Sequence, residues 1–137
     1  GVAADAVDRL LADGYPSHGI QQVHEHALER AADLDVTAVA DGTRRDDRAP
    51  TVDRSAARSL EDRRGVDYLA PLAGFGSRAV DRLADATLDV DTGPSESMPR
   101  ADYEAELRIL LAERENGAVD DVFPAHEQSH VRGATRP

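Results

Sequence analysis

Residues 18–42 read HGIQQVHEHALERAADLDVTAVADG, and the fold turns on how this stretch divides. Ile20, Val23, Ala27, Leu28 and Ala31 recur at spacings of three and four, one apolar stripe of helical period. Ser17, just before them, can cap that helix through its hydroxyl. From Asp35 the period changes. Val36, Thr37, Ala38, Val39 and Ala40 alternate and include β-branched residues, which predicts a strand over 35–40 closed by Asp41-Gly42. His24 and His26 are two apart on the predicted helix and point about 200° from each other. They cannot share one metal, and one is expected to be partly covered and the other on the surface.

Working outward, the cluster Val7-Asp8-Arg9-Leu10-Leu11-Ala12 is read as a strand, stopped by the turn Asp13-Gly14-Tyr15-Pro16. Strand, helix and strand with short links make a βαβ unit with a right-handed crossover. Downstream, 43–50 is a charged loop and 51–65 a helix ending at Gly65. Residues 66–76 have no clear period and receive no assignment. A helix over 77–86 precedes a short strand at 87–91, then a Ser/Pro-rich loop. The strongest helical pattern runs over 100–117, with Tyr103, Leu107, Leu110 and Leu111 as its buried face and Asn116-Gly117 as its C-cap. Residues 119–123 are read as a fourth strand, with PAHEQSH at its carboxyl end. The fold class expected is α/β: a three-layer, doubly wound, mainly parallel sheet of about four strands, in one domain over residues 1–137.

The 137 residues include 27 acidic and 16 basic ones, a net charge of −11, and every base is arginine. An Asp-rich, lysine-free surface suits a protein dissolved in concentrated salt, where screening removes repulsion between like charges. A GC-rich genome, favouring Asp, Arg and Ala codons, is the other reading. The charge argues against direct contact with nucleic acid. There is no cysteine and no apolar run of membrane-spanning length, so a cytoplasmic, soluble protein without thiol chemistry is expected.

The segments LLADGYP, HEHALERAADLDVTAVAD, RAVDRLADATLDVDTG, YEAELRILLAERENGAVDDV and PAHEQSHVRG, in this order, resemble the universal stress protein family over about residues 6–133. That resemblance implies a stress-response module acting through a homodimer or another protein partner rather than through catalysis. It also implies an adenine nucleotide site, for ATP or AMP. Asp13 and Gly14 would follow the first strand, Val39 and Ala40 would lie against adenine, and His126 and Ser129 would sit in the phosphate loop. Pro124 and Glu127 stand where the ATP-binding members have glycines, so weak or absent nucleotide binding is implied.

His126-Glu127-Gln128-Ser129-His130 also spells H-E-x-x-H, in which two histidines one helical turn apart hold zinc and the glutamate acts as base. A metal-dependent hydrolase using His126 and His130 is therefore an alternative, and a nucleotide hydrolase on the same fold another. Pro124 before the motif and the polar flanks favour a loop instead. The acidic pairs Asp46-Asp47 and Asp120-Asp121 are read as solvated charge.

Overall fold

The computed structural model of the chain describes residues 1–94, 97–98, 103–114, 118–123, 125 and 127–135. The chain opens with two helices, α1 (Val2–Asp13) and α2 (Pro16–Ala32), and not with a strand. Ala6, Val7 and Leu10 share one helical face and are buried, while Leu11 turns outward. A strand would have sent Leu10 and Leu11 to opposite faces as well, so the local pattern is ambiguous; the cover supplied by a later helix decides it. Gly14 ends α1 at φ 69°, a left-handed cap that a residue with a Cβ would adopt under strain. Gly19 lets α2 cross close to α1, since a Cβ there would lie 2.9 Å from Cγ of the buried Leu10. Ser17 lies inside α2, where Pro16 begins the helix and no side chain caps it, a correction to the expected capping role.

The parallel unit lies one step further along the chain than expected. It consists of β1 (Ala38–Ala40), α3 (Arg54–Arg64) and β2 (Asp67–Leu69), with Val39 opposite Tyr68. Asp53 caps α3 by accepting from the Ala56 amide at 2.8 Å, and Gly65 closes it at φ 67°. β2 falls in the stretch without apparent period because three residues are too few to show one.

Next come α4 (Ser77–Thr87) and β3 (Leu88–Pro94). α5 (Tyr103–Arg114) follows, then α6 (Ala118–Val122) and β4 (Glu127–Ala134). Two expectations are corrected here. The expected strand at 119–123 is the short helix α6, because Val119, Val122 and Phe123 at spacings of three and four all turn to the core. The expected loop is β4, antiparallel to β3 through seven registered pairs from Leu88↔Ala134 to Pro94↔Glu127. The expected C-cap at 116–117 lies outside the described residues.

The molecule is thus mixed α/β, its strands paired two and two, one pair parallel and the other antiparallel. Two apolar clusters stand out among the described residues. Ala6, Val7, Leu10, Leu107, Leu111 and Phe123 pack α1, α5 and the end of α6 together, and Leu28, Ala32, Val39, Leu60 and Val66 seal α2 and α3 over the parallel strands. Full burial of each large side chain contributes about 1.5–3 kcal/mol. Among the described residues no helix is long and apolar enough to cross a membrane.

The surface remains strongly acidic, with ion pairs such as Arg44–Asp47 and Arg64–Glu29 offsetting part of the charge. Raising KCl from 0.1 M to 1 M shortens the Debye length from about 10 Å to about 3 Å. The melting temperature is expected to rise across that range; a flat or falling trend in a calorimetric series would remove the saline-surface reading.

Candidate functional site

Among the described residues, a densely hydrogen-bonded carboxylate lies where β1 ends. The Asp41 amide continues the ladder by donating to the Leu69 carbonyl at 3.0 Å, so the carboxylate is fixed at the carboxyl ends of both parallel strands. That carboxylate is 3% exposed. Its Oδ1 accepts from the Thr43 amide at 2.7 Å and the Thr43 hydroxyl at 2.6 Å. Its Oδ2 accepts from the Tyr68 hydroxyl at 2.9 Å and lies 3.0 Å from Nε2 of the buried His24. One side chain therefore ties α2, β1, β2 and the following loop. Burial pushes the Asp41 carboxyl up, but the Thr43, His24 and Tyr68 contacts outweigh it and hold the group below the usual carboxylate range. Burial, together with the bond to Asp41, pushes the Tyr68 hydroxyl up to about 12.

Beyond Asp41 the loop folds back on itself and onto α4. The Arg44 amide donates to Asp47 Oδ2 at 2.7 Å, and the Arg44 guanidinium grips Asp47 Oδ1 at 2.9 and 2.7 Å. The Arg45 amide donates to the Phe75 carbonyl at 2.9 Å. Asp46 accepts from the Ser77 amide at 2.9 Å and the Ser77 hydroxyl at 2.8 Å, so a carboxylate caps the first turn of α4. The Ser77 amide, with its hydroxyl, holds Asp46 below the ordinary carboxylate range. Between loop and helix lies a cavity of about 330 Å³, lined by Arg45, Asp46, Gly76, Ser77, Arg78 and Arg82. Arg45, Arg78 and Arg82 line this hollow, and their positive charge can hold an anion there; the Ser77 hydroxyl in its wall is bonded to the Asp46 carboxylate.

The residues singled out in the sequence are distributed differently. Asp13 ends a helix, not a strand, and braces the α1–α2 corner: its Oδ1 accepts from the Tyr15 amide at 3.0 Å and its Oδ2 meets His18 Nδ1 at 2.7 Å. The His18 contact lowers the Asp13 carboxyl below its ordinary range. Gly14 is the cap of α1. Val39 is buried against α2 and α3, and Ala40 leads directly into Asp41. Ser129 lies on β4 opposite Thr92, while His126 falls outside the described residues. Among the residues expected to hold a ligand, only Val39 and Ala40 lie on the element that positions the Asp41 site.

His24 is the covered histidine, buried rather than partly covered, and His26 the exposed one. Asp46 and Asp47 are structural partners of Ser77 and Arg44, more engaged than solvated charge. The metal-dependent hydrolase reading is corrected by β4. Glu127 and His130 are three apart on a strand and so face opposite sides, whereas the zinc motif needs a helix. Among the described residues no three metal-binding side chains converge. Asp41 and the arginine cavity were missed. The signal available was D-G-T-R-R-D-D-R directly after a predicted strand, but the order of a charged loop says little about which charges turn inward.

Comparison with known proteins finds relatives over nearly the whole chain. An uncharacterized protein of Methanocaldococcus jannaschii is 39% identical over 132 residues, which are 96% of this chain and 65% of that protein. A crystal structure from the same organism, described as a predicted subunit of tRNA methyltransferase, superimposes with a TM-score of 0.84 at 37% identity. It covers 98% of this chain, which in turn covers 66% of it. The chain thus spans about two thirds of the length of these relatives. The model of a family of unknown function, DUF7411, matches residues 1–133. These matches overturn the universal stress protein resemblance, with its stress-response role and the hydrolase alternatives attached to it. The chain belongs to the family of unknown function DUF7411.

Proposed function

We propose that the chain is the ligand-holding part of a subunit in an RNA-modification assembly, that it works through a protein partner, and that its own ligand carries a phosphate. One observation carries the ligand: Asp41 and Asp46 fasten the 41–47 loop at both ends, which leaves Arg45, Arg78 and Arg82 around the cavity. In this reading β1–α3–β2 belongs to a doubly wound arrangement, where ligands bind beyond the carboxyl ends of the strands. The partner is suggested by the description of the M. jannaschii structure as a methyltransferase subunit. A net charge of −11 repels an RNA backbone, so contact with RNA falls to the partner.

Asp46 already occupies the amide of Ser77, the position an incoming phosphate would take at the start of α4. The ligand must displace it, and binding is weak for that reason. Titration calorimetry with inorganic phosphate, AMP and ATP tests this. A charge-assisted bond contributes about 1.5–3 kcal/mol, and about 1.4 kcal/mol is tenfold in affinity. Arg45→Ala and Arg78→Ala should each weaken binding roughly tenfold or more, and Asp46→Asn should strengthen it. Absence of binding at millimolar ligand, or binding indifferent to all three changes, would refute the site. The subunit reading is separate: the protein isolated from its own cells should carry a stoichiometric second polypeptide with tRNA methylation activity, and isolation without either would end it.

A further inference from the structure

Among the described residues, the parallel pair β1–β2 is covered on one face only. Val39 and Tyr68, opposite each other in register, turn toward α2 and α3 and join the buried cluster with Leu28, Leu60 and Val66. By strand alternation, Ala38, Ala40, Asp67 and Leu69 turn the other way. Leu69 is 50% exposed, and in the segment feeding β1, Leu34 is 65% and Val36 42% exposed. Parallel sheets are otherwise buried on both faces, because their crossover helices lie on each side. Two strands are also too few for an independently stable sheet. The relatives contain about 70 residues beyond the part this chain matches, enough for a strand–helix–strand unit of roughly 30 residues and more.

We infer that the bare face of β1–β2 is a docking surface for the segment by which the relatives exceed the matched part, and that this segment seats a strand and a helix there. The strand extends the sheet in parallel from a free edge, and the helix lays an apolar stripe over Leu69, Ala40 and Val36. A second copy of this chain is the poorer occupant, since two bodies of charge −11 repel each other at moderate ionic strength.

The test joins the unmatched segment of the M. jannaschii protein to this chain and follows amide hydrogen exchange. The joined protein should slow exchange at residues 34–40 and 67–70 by tenfold or more relative to the chain alone. Leu69→Glu should abolish that protection in the joined protein, while changing the melting temperature of the chain alone by no more than a few degrees. Absence of protection, protection centred on α4 and β3, or protection untouched by Leu69→Glu would each overturn the inference. Sedimentation of the chain alone supplies the last arm: a dimer dissociated by Leu69→Glu would assign the face to a second copy instead. These outcomes leave the arginine cavity untouched.

Discussion

Replacing Phe123 by alanine is expected to cost about 3–5 kcal/mol, the range for truncating a fully buried aromatic ring. Phe123 is 1% exposed and closes the cluster formed by Ala6, Val7, Leu10, Leu107 and Leu111. Its ring also receives the Arg108 guanidinium, with Cζ 5.1 Å from the centroid, and Arg108 is fixed in turn by Glu104 at 2.7 Å. Truncation opens a cavity between helices that are far apart in sequence, and rigid elements cannot collapse fully to fill it. Against a total stability of about 5–15 kcal/mol for an ordinary domain, the loss corresponds to a melting point lowered by roughly 10 °C or more. Denaturant unfolding with the Phe123→Leu variant as control separates ring volume from apolarity. A loss below about 1 kcal/mol for Phe123→Ala would show that the ring is not core.

The second large effect is expected at Asp41. Asp41→Ala removes the acceptor shared by Thr43, Tyr68 and the His24 contact, and leaves these groups facing a dry hollow. Each buried donor stranded in this way costs about 1–3 kcal/mol, so a total of about 3–5 kcal/mol is expected even if Thr43 finds water. Asp41→Asn keeps the shape and an acceptor and should cost distinctly less. The pH dependence has a definite sign. The folded carboxyl lies below its ordinary value of about 4. Its contribution is therefore complete above that value and is lost as pH falls through the lower folded one. Wild type should lose stability along this limb, and Asp41→Asn should show a shallower one; identical acid limbs in the two proteins would mean that Asp41 is not the group responsible.

Part of this architecture was legible residue by residue. The stripe from Ile20 to Ala31 is α2, the alternation before Asp41 is β1, and Gly65 ends α3 as expected, although the helix begins at Arg54 after the Asp53 cap and not at Thr51. α5 shows its apolar face as Leu107 and Leu111. Each of these signals is local: a period carried over enough residues, or a cap whose own side chain or φ angle ends the element. α1 and α6 were misread because the stretches read, 7–12 and 119–123, are only six and five residues long and satisfy both periods. The cover that α2, α5 and Phe123 supply selects the helix. β4 was missed because Glu127 to Ala134 is polar and its pairing partner, β3, lies more than 30 residues earlier.

The site divides along the same line. Composition alone determined a strongly acidic, lysine-free and cysteine-free chain, and local pattern determined that a charged loop follows a strand at Asp41. Which charges of that loop turn inward was decided by tertiary structure. Asp41 is buried because His24 comes from α2 and Tyr68 from β2, and Asp46 is oriented because the amide of Ser77 opens a helix 31 residues on. A carboxylate on a solvated loop and one inside a hydrogen-bond network have the same sequence signature; desolvation and distant donors distinguish them, and both arise only when the elements pack. The bare face of β1–β2 is likewise invisible in the sequence, since Leu69 and Val39 are equally apolar and only the positions of α2 and α3 leave one covered and the other exposed.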